Sequence, residues 1–368
     1  MRIIDLSYHA SYLDLSPEAY LKKAESNIGY SRFLKDEHDL TFIFHSAFNK
    51  RLSRDGVTYI FRKKRFNSKW LLPLSLTSLI SRMKPDVILV HSIIYIHFAA
   101  FLKPFLPGRT VIFIQNHAEK IPKSGLKKIA IRRSEKAIKG FLFTSRELAK
   151  PWVNQRMIAS DDKVYELMEG SSSFVKKDKG KCRSILGIAD VETYIWVGRL
   201  DSNKDPLCVL KAFRAYAEKG YDFKLYMFYN SEDLLSDIQK FIADSGLQES
   251  VELKGSIAHD KLELWYNASD YFVAASYFEG SGYSLCEAMS CGCIPILSDI
   301  PSFRYMTAEG RVAALFSPGD ENELYQRLEE LRHKDLGKMK SKVLEVYENR
   351  LSFSAIATKM KVIYGLEK

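Results

Sequence analysis

One strand-to-helix transition indicates the fold class: Tyr194-Ile195-Trp196-Val197-Gly198-Arg199-Leu200-Asp201-Ser202-Asn203-Lys204-Asp205-Pro206. Its first four residues are mostly β-branched or aromatic and predict a strand. Gly198 allows a tight turn at the strand end, while Asp205 can cap a following helix and Pro206 suits the first turn of that helix. The sequence therefore predicts strand, loop and helix in the order that builds a parallel α/β sheet.

Strand patterns of the same kind recur along the chain, with helical stretches between them. We predict strands at 3–7, 40–46, 57–62, 87–91, 111–115, 141–144, 164–167, 194–197, 224–228, 251–253, 272–275, 294–297 and 313–316. A chain of 368 residues suits two domains. We expect two α/β units, joined near residue 175, that face each other across a crevice and bind ligands beyond the carboxyl ends of their strands.

Composition favours a soluble globular protein of a reducing compartment. Hydrophobic residues make up 46% of the chain and charged residues 27%, both near the usual averages. The five cysteines are odd in number and lack a Cys-x-x-Cys pair. Cys291 and Cys293 could suggest a metal site, but no histidine or second cysteine cluster nearby in sequence completes a ligand shell, so small buried hydrophobes are the preferred interpretation.

The start of the chain reads as a strand rather than a signal peptide, and the apolar run 93–106 is too short to span a bilayer. We expect a cytoplasmic location, with peripheral membrane contact as an option.

The excess of ten positive charges is concentrated at 50–65 and 120–139. In the second stretch a helix could separate an apolar face from a basic one, formed respectively by Leu126, Ile129, Ala130 and Ala137 and by Lys128, Arg132, Lys136 and Lys139. Such a helix suits an anionic membrane, and a solvated helix face is an equally good interpretation. A basic nucleic-acid-binding protein is a further alternative, but no helix-turn-helix, zinc-finger or aromatic RNA-reading motif supports it, so we expect no nucleic acid.

Two cations lie at the ends of the loop after the strand at 194–197. Arg199 offers a fork of donors and Lys204 a compact charge, and both can reach one anion. A diphosphate matches them, and charge that grows on a departing nucleoside diphosphate would be stabilised there. Cations in loops are often only solvated, which is the alternative interpretation.

A second motif follows a later strand and reads Glu279-Gly280-Ser281-Gly282-Tyr283-Ser284-Leu285-Cys286-Glu287-Ala288-Met289. Its glycines precede a helix whose first N–H groups and positive dipole end favour phosphate. Glu279 stands before the helix and Glu287 within it, so the two carboxylates could hold different parts of one ligand. Carboxylates commonly accept hydrogen bonds from paired hydroxyls.

The two motifs together, Gly198-Arg199-Leu200 with Lys204 and then Glu279 through Glu287-Ala288-Met289 to Gly292 and Pro295, strongly resemble the family-4 retaining glycosyltransferases. The resemblance implies a GT-B fold, with two Rossmann-like domains facing each other across a cleft. It implies an N-terminal acceptor domain at 1–172, a C-terminal nucleotide-sugar domain at 173–350, and a closing helix at 351–368 that packs back on the N-terminal domain.

Roles follow from the resemblance position by position. Arg199 and Lys204 would bind the diphosphate beside Gly198, Glu287 the ribose hydroxyls, and Glu279 the hydroxyls of the transferred sugar. Backbone groups of the helix start and of the stretch that lines the base would add contacts, at Gly282, Tyr283 and Ser284 and at Gly255. His117, after an N-terminal strand, stands where this family often keeps a histidine that faces the donor sugar.

The chain departs from the family pattern at several positions. Residues 7–12 replace the usual glycine-rich loop after the first strand, which puts the N-terminal contact to phosphate and acceptor in doubt. Glu169-Gly170 stands where Asn-Gly is frequent, and Ser281 and Tyr283 replace more apolar residues.

The implied reaction is transfer of a sugar from a UDP- or GDP-sugar, with retention, to a hydroxyl of a glycan or lipid-linked acceptor in cell-surface polysaccharide or lipopolysaccharide synthesis. No cofactor or metal is expected, because Arg199 and Lys204 can neutralise the diphosphate. Glu279 could instead act as a nucleophile, as carboxylates do in hydrolases. A GT-B nucleotide-sugar epimerase or sugar phosphorylase remains the alternative enzyme class.

Overall fold

The computed structural model describes residues 1–9, 13–63 and 73–366. The chain divides into two compact units. The first comprises Met1–Ser171 together with Phe353–Lys368, and the second comprises Ser172–Ser352. Each unit is built on its own sheet.

Among its described residues, the first unit contains eight strands, which are β1 (Arg2–Ser7), β2 (Asp39–Ser46), β3 (Lys50–Arg54), β4 (Val57–Lys63), β5 (Val87–His91), β6 (Val111–Gln115), β7 (Gly140–Phe143) and β8 (Val164–Glu166). Their order in the sheet is β3-β4-β2-β1-β5-β6-β7-β8. All neighbouring pairs are parallel except β3 with β4. Strands β2 to β4 are therefore added on one side of β1, and strands β5 to β8 on the other side.

Helices cover the two faces of this sheet and fill its core with buried aliphatic and aromatic side chains. They are α1 (Pro17–Lys23), α2 (Glu25–Ile28), α3 (Leu74–Met83), α4 (Ile96–Leu102), α5 (Gly125–Glu135) and α6 (Arg146–Asn154), with short 3₁₀ helices at Gly29–Phe33, Ile93–Tyr95, Lys103–Phe105 and Asp161–Lys163.

The second unit contains six strands, which are β9 (Glu192–Gly198), β10 (Phe223–Tyr229), β11 (Val251–Gly255), β12 (Tyr271–Ala274), β13 (Ile294–Ser298) and β14 (Ala314–Phe316). Its helices are α7 (Lys179–Leu186), α8 (Pro206–Glu218), α9 (Leu235–Asp244), α10 (His259–Ala268), α11 (Tyr283–Ser290), α12 (Pro301–Met306), α13 (Glu321–Leu331) and α14 (Leu336–Arg350). The parallel sheet has the order β11-β10-β9-β12-β13-β14, which is the order of a Rossmann sheet.

The closing helix α15 (Phe353–Tyr364) belongs to the first unit. The ring of Phe353 lies against Gly29 so closely that any side chain at that glycine would overlap it. Tyr364 packs its ring against Phe113 on β6. Aromatic contacts at both ends therefore hold this helix on the first unit.

Every predicted strand is found within two residues of its expected bounds, but β3 was missed. This strand is rich in cations and pairs antiparallel with β4 at the sheet edge, across a tight turn at Asp55 and Gly56. Both turn residues have positive φ, 54° and 80°, as the commonest two-residue hairpin requires. The predicted parallel sheet is confirmed, and this unpredicted edge strand adds one antiparallel pair to it. The basic stretch at 50–65 is thus partly a hairpin, and its Lys64 and Arg65 lie outside the described residues.

The helix predicted at the second basic stretch was also too long. It ends at Glu135, so Lys136, Ala137 and Lys139 lie in the turn before β7 and do not extend either face. Glu135 is buried and binds Lys163 at 2.8 Å, which fixes the chain where it leaves the helix. Leu126 and Ile129 remain 80% and 45% exposed.

Candidate functional site

The second unit places two loops side by side at the carboxyl edge of its sheet. Strands β9 and β12 are neighbours, and the chain runs from them toward opposite edges of the sheet. Ligands of open α/β sheets bind at such a switch point. The loop after β9 carries Arg199 and Lys204, and the loop after β12 carries Glu279. Asn203 joins the loops, since its Nδ2 donates to the carbonyl of Phe278 at 3.0 Å.

Lys204 and Glu279 form an ion pair across these two loops. Only 18% of the lysine side chain and 14% of the glutamate side chain are exposed. The lysine backbone is fixed as well, because its N–H donates to Oδ1 of Asp201 at 3.0 Å. An ammonium has three donors, so Lys204 can keep Glu279 and still bind a phosphate oxygen. The structure thus brings together two of the predicted site residues.

Arg199 is the more accessible cation of the first loop. Its guanidinium lies 3.1 Å from Asp201, and 58% of its side chain is exposed. Gly198 does not have a positive φ, so the turn argument for this glycine was wrong. A glycine fits this position for lack of space, because an added Cβ would lie 3.1 Å from the ring of Trp196 and 3.6 Å from Cδ of Lys204.

The second loop ends at the N-terminus of α11. Gly282 is its N-cap, with a φ of 33°, and an added Cβ would lie 2.9 Å from the ring of Phe303. The first turn of a helix directs its N–H groups toward the preceding loop, and here those groups belong to Tyr283 and Ser284. The helix dipole adds a partial positive charge at the same point. This helix start can therefore bind an anion beside the Lys204–Glu279 loops.

Glu287 lies one turn further along α11 and binds two residues of α10. Its Oε1 lies 2.5 Å from Nε2 of His259, and its Oε2 accepts from the hydroxyl of Tyr266 at 3.1 Å. Burial, reinforced by Glu287, raises the pKa of Tyr266 well above its usual value, so this hydroxyl stays a donor. His259 begins the helix that follows Gly255, which has a φ of 64°. The predicted ribose residue Glu287 thus contacts the helix that begins shortly after Gly255, the residue predicted to line the base.

The first unit assembles a hydrogen-bonded chain of side chains around His117. Nε2 of His117 lies 2.8 Å from Nδ1 of His91, and Nδ1 of His117 lies 2.8 Å from Oε2 of Glu169. Nε2 of His91 lies 2.8 Å from Oδ1 of Asp5, whose other oxygen accepts from the hydroxyl of Tyr30 at 2.5 Å. Asp5 lies within β1, His91 ends β5, and His117 and Glu169 follow β6 and β8, while Tyr30 comes from the 3₁₀ helix Gly29–Phe33.

The number of protons follows from this geometry. A carboxylate accepts, so His117 donates from Nδ1 to Glu169 and His91 donates from Nε2 to Asp5. The contact between the two rings requires one proton more. With both carboxylates ionised, these three hydrogen bonds need three protons on the two rings, so the geometry favours one positive charge on the pair. Burial would lower the pKa of His117, but Glu169, Glu119 and Asp5 outweigh it and raise that pKa above its usual value.

Sequence reasoning found His117 but missed its partners His91 and Glu169. The two residues that follow the histidines have strained backbones, with a φ of 79° at Ser92 and of 61° at Ala118. Residues other than glycine rarely adopt such angles, and they concentrate at functional sites. The loop itself is held by Glu119, whose Oε2 accepts from the His117 backbone N–H at 2.7 Å.

Cysteines take no part in either cluster. All five are buried thiols outside any disulfide. Burial raises the pKa of Cys208 and of Cys293 to about 12, which makes them inert at neutral pH. Over residues 1–9, 13–63 and 73–366, no group of three or more His, Cys, Asp or Glu side chains is arranged to hold a metal ion. Within the same ranges, no helix is both long and apolar enough for a membrane span.

The second unit, which contains the Lys204–Glu279 pair, is the part of the chain that matches a known protein family. Residues 178–346 match the family described as Glycosyl transferases group 1. A GDP-mannose:cellobiosyl-diphosphopolyprenol alpha-mannosyltransferase of Xanthomonas oryzae pv. oryzae is 36% identical over 118 residues, which cover 32% of this chain and 31% of the relative. An alpha-monoglucosyldiacylglycerol synthase of Streptococcus pneumoniae is 27% identical over 191 residues, covering 49% of this chain and 43% of that one. Each match thus spans less than half of the curated relative.

Solved structures match over nearly the whole chain. A glycosyltransferase from Rickettsia africae superposes with a TM-score of 0.75 at 15% identity, covering 99% of this chain and 98% of the other. Anabaena HepE in complex with UDP gives a TM-score of 0.72 at 13% identity and covers 100% of both chains. Identities this low show the fold alone, which is GT-B.

Proposed function

We propose, since residues 178–346 match the family described as Glycosyl transferases group 1, that this chain is a retaining glycosyltransferase that uses a nucleoside-diphosphate sugar. The donor is a UDP- or GDP-sugar, and the acceptor is a hydroxyl of a glycan or a lipid-linked glycan in cell-surface polysaccharide or lipopolysaccharide synthesis. The single observation that carries the proposal is the mostly buried Lys204–Glu279 pair at the β9/β12 switch point.

In this proposal, each predicted site residue of the second unit has a role. Arg199 and Lys204 bind the diphosphate together with the N–H groups of Tyr283 and Ser284, in a cradle that Gly198 and Gly282 keep open. Glu279 accepts from hydroxyls of the sugar, while Glu287 accepts from the ribose hydroxyls and Gly255 lies against the base. Two cations and a helix start supply the positive charge that the leaving group needs, so the proposal includes no metal or cofactor.

In the proposed reaction, the bond between the anomeric carbon and the diphosphate oxygen breaks through an oxocarbenium-like state. A bond to the acceptor oxygen forms on the same face of the sugar, and the acceptor proton passes to the leaving phosphate. His117 hydrogen-bonds the reacting sugar or leaving group. Both of its ring nitrogens are engaged by Glu169 and His91, so we propose that a ligand displaces His91 and leaves Glu169 to orient the ring.

The relatives' names indicate acceptors of two lipid kinds, a diphosphopolyprenol and a diacylglycerol. The exposed Leu126 and Ile129 lie on α5 among several lysines and arginines, which suits contact with an anionic membrane surface. We propose that this helix brings the first unit to the membrane where such acceptors reside. Sedimentation with vesicles at low salt should require anionic lipid and weaken in Leu126→Ser. The matched control Ile185→Ser, which changes a residue 68% exposed on α7, should bind as the parent does.

The enzyme activity is tested with radiolabelled UDP- and GDP-sugars and either acceptor class. We expect label to pass from one donor to an organic-extractable product, and NMR of the product to show the anomeric configuration of the donor. Lys204→Ala should lower turnover by about 10²-fold or more, the usual scale for a lost charge-stabilising donor. Lys211→Ala, which removes a half-exposed lysine of α8, is the matched control. Donor consumption that does not depend on an acceptor would contradict transfer and favour an epimerase.

A further inference from the structure

The first unit contains a largely apolar cavity of about 330 Å³, whose lining includes Ile93 and Glu119 from the segments that follow His91 and His117. Its buried lining consists of Ile93, Ile96, Ile131 and Trp152, which come from the segment after β5 and from helices α4, α5 and α6. Ligand pockets in proteins range from about 300 to 1,000 Å³. The cavity is therefore large enough for part of a ligand, and its floor is a surface for hydrocarbon.

Charged groups line the more exposed part of the same cavity. Lys120 and Lys127 contribute cationic side chains there, and Ile94 adds an aliphatic side chain that is 47% exposed. A free sugar offers little to aliphatic walls, whereas a hydrocarbon chain with an anionic group complements both parts of the lining. The Glu119 carboxylate also lines the cavity, but it accepts from the His117 backbone N–H and from Asn116, so the two exposed lysines favour an amphiphile with a phosphate.

The cavity is continuous with the loop that carries His117. Glu119 lines the cavity, and its Oε2 accepts from the backbone N–H of His117 at 2.7 Å and from Nδ2 of Asn116 at 2.7 Å. On the other side, Ile93 follows His91 by two residues. The lining therefore includes a residue two positions after each histidine, Ile93 after His91 and Glu119 after His117.

We propose that this cavity holds the start of the hydrocarbon chain of a phosphate-bearing lipid acceptor, with the phosphate at Lys120 and Lys127 and the acceptor sugar toward His117. The inference rests on the proposed function, because it specifies the acceptor of that reaction. It requires no change in the donor residues of the second unit. Hydrocarbon burial supplies the affinity, and the lysines set the position of the headgroup.

Trp152 allows a direct test, since it lines the cavity and is only 3% exposed. Terminally brominated n-alkyl phosphates, used below their micellar concentrations, should quench its fluorescence, and Trp152→Phe should remove the quenched component. Over a series of short chains, Kd should fall by up to about fourfold for each methylene buried. Quenching that survives in Trp152→Phe, or Kd values independent of chain length, would overturn the proposal.

Two variants separate the tail from the headgroup. Ala130→Phe fills the cavity and should weaken alkyl-phosphate binding about tenfold or more, while Ala100→Phe on α4, outside the lining, should not. Lys127→Glu changes an exposed residue and should weaken binding of alkyl phosphates but not of the matching alkanols. Equal affinities in all three variants and the parent would contradict the assignment.

A competition experiment distinguishes the acceptor from other occupants. Polyprenyl phosphate should displace the brominated probe, whereas phosphatidylglycerol vesicles should not. Displacement by the vesicles alone would assign the cavity to bilayer lipid and overturn the acceptor role. Failure of the proposed function has a different signature, since alkyl phosphates would still bind while neither UDP- nor GDP-sugars bound the parent protein.

Discussion

Nε2 of His117 lies 2.8 Å from Nδ1 of His91, and the other nitrogen of each ring is bound to a carboxylate. The two rings therefore share a proton between Glu169 and Asp5. This arrangement fixes the ring of His117, and the neighbouring carboxylates raise its pKa. A ligand that accepts a hydrogen bond from Nε2 of His117 has to replace His91 as the partner of that nitrogen. The proton that the two rings shared can then remain on either ring.

Glu169→Gln should lower the pKa of His117, because the amide keeps an acceptor oxygen but loses the charge that raises this pKa. The raised pKa means that the contact stabilises the fold fully below the unfolded value of about 6.5, and that this contribution is lost as pH rises through the folded pKa. The stability difference between the parent and the variant should therefore shrink above neutral pH. NMR titration of His117 measures the shift, with the exposed Asp162→Asn as the control. An unchanged titration would show that Glu169 does not set the charge.

Lys204→Ala should weaken binding of UDP or GDP, because it removes the mostly buried cation at the switch point. It should also reduce the free energy of unfolding by about 1–3 kcal/mol, since Glu279 is left as a mostly buried carboxylate without its partner. Adding Glu279→Gln should recover part of the stability but none of the nucleotide affinity. Calorimetric titration and chemical unfolding of the single and double variants measure the two effects. Recovery of affinity in the double variant would remove Lys204 from the diphosphate site.

Gly282→Ala should lower both stability and nucleotide affinity. The added methyl would lie 2.9 Å from the Phe303 ring, and alanine rarely adopts a φ of 33°. The helix start must then move, and with it the N–H groups of Tyr283 and Ser284. Gly187→Ala is a matched control, because that glycine also has a positive φ, of 65°, but no atom within 4 Å of an added Cβ. Equal loss of affinity in both variants would point to general destabilisation.

Asp205→Gly should destabilise the protein less than Asp205→Ala. Its carboxylate caps α8 by accepting from the N–H of Cys208 at 3.2 Å, and its φ is 43°. Asp205→Ala loses the cap, worth about 1 kcal/mol, and keeps the unfavourable backbone angle, whereas Asp205→Gly relieves that angle. Thermal unfolding should therefore rank the parent first, glycine second and alanine last. A lower melting temperature for glycine than for alanine would contradict this order.

The sequence predicted the sheets well because their strands are short, apolar and β-branched, and this signal is local. It missed β3 because Lys50–Arg54 is mostly polar and exposed, although Asp55-Gly56 was a usable turn signal. Capping by Asp205 was confirmed for the same local reason.

Long-range partners could not be read from the sequence. Glu169 is 52 residues from His117, and nothing near it marks it as the partner of a histidine. His259 begins a helix and reads as an ordinary surface residue until α10 places it against Glu287. His91 carried a weak signal, because it ends a predicted strand at the edge where ligands bind. The roles of Arg199, Lys204, Glu279 and Glu287 remain predictions that rest on the motif and on the loops brought together here.

Hydrogen–deuterium exchange with and without saturating UDP or GDP tests the central claim most directly. If the diphosphate binds at the β9/β12 switch point, the amides of 199–204 and 279–287 should gain protection, and Lys204→Ala should lose that gain while Lys211→Ala keeps it. Nucleotide that binds without protecting either segment, or that protects only the first unit, would contradict the account.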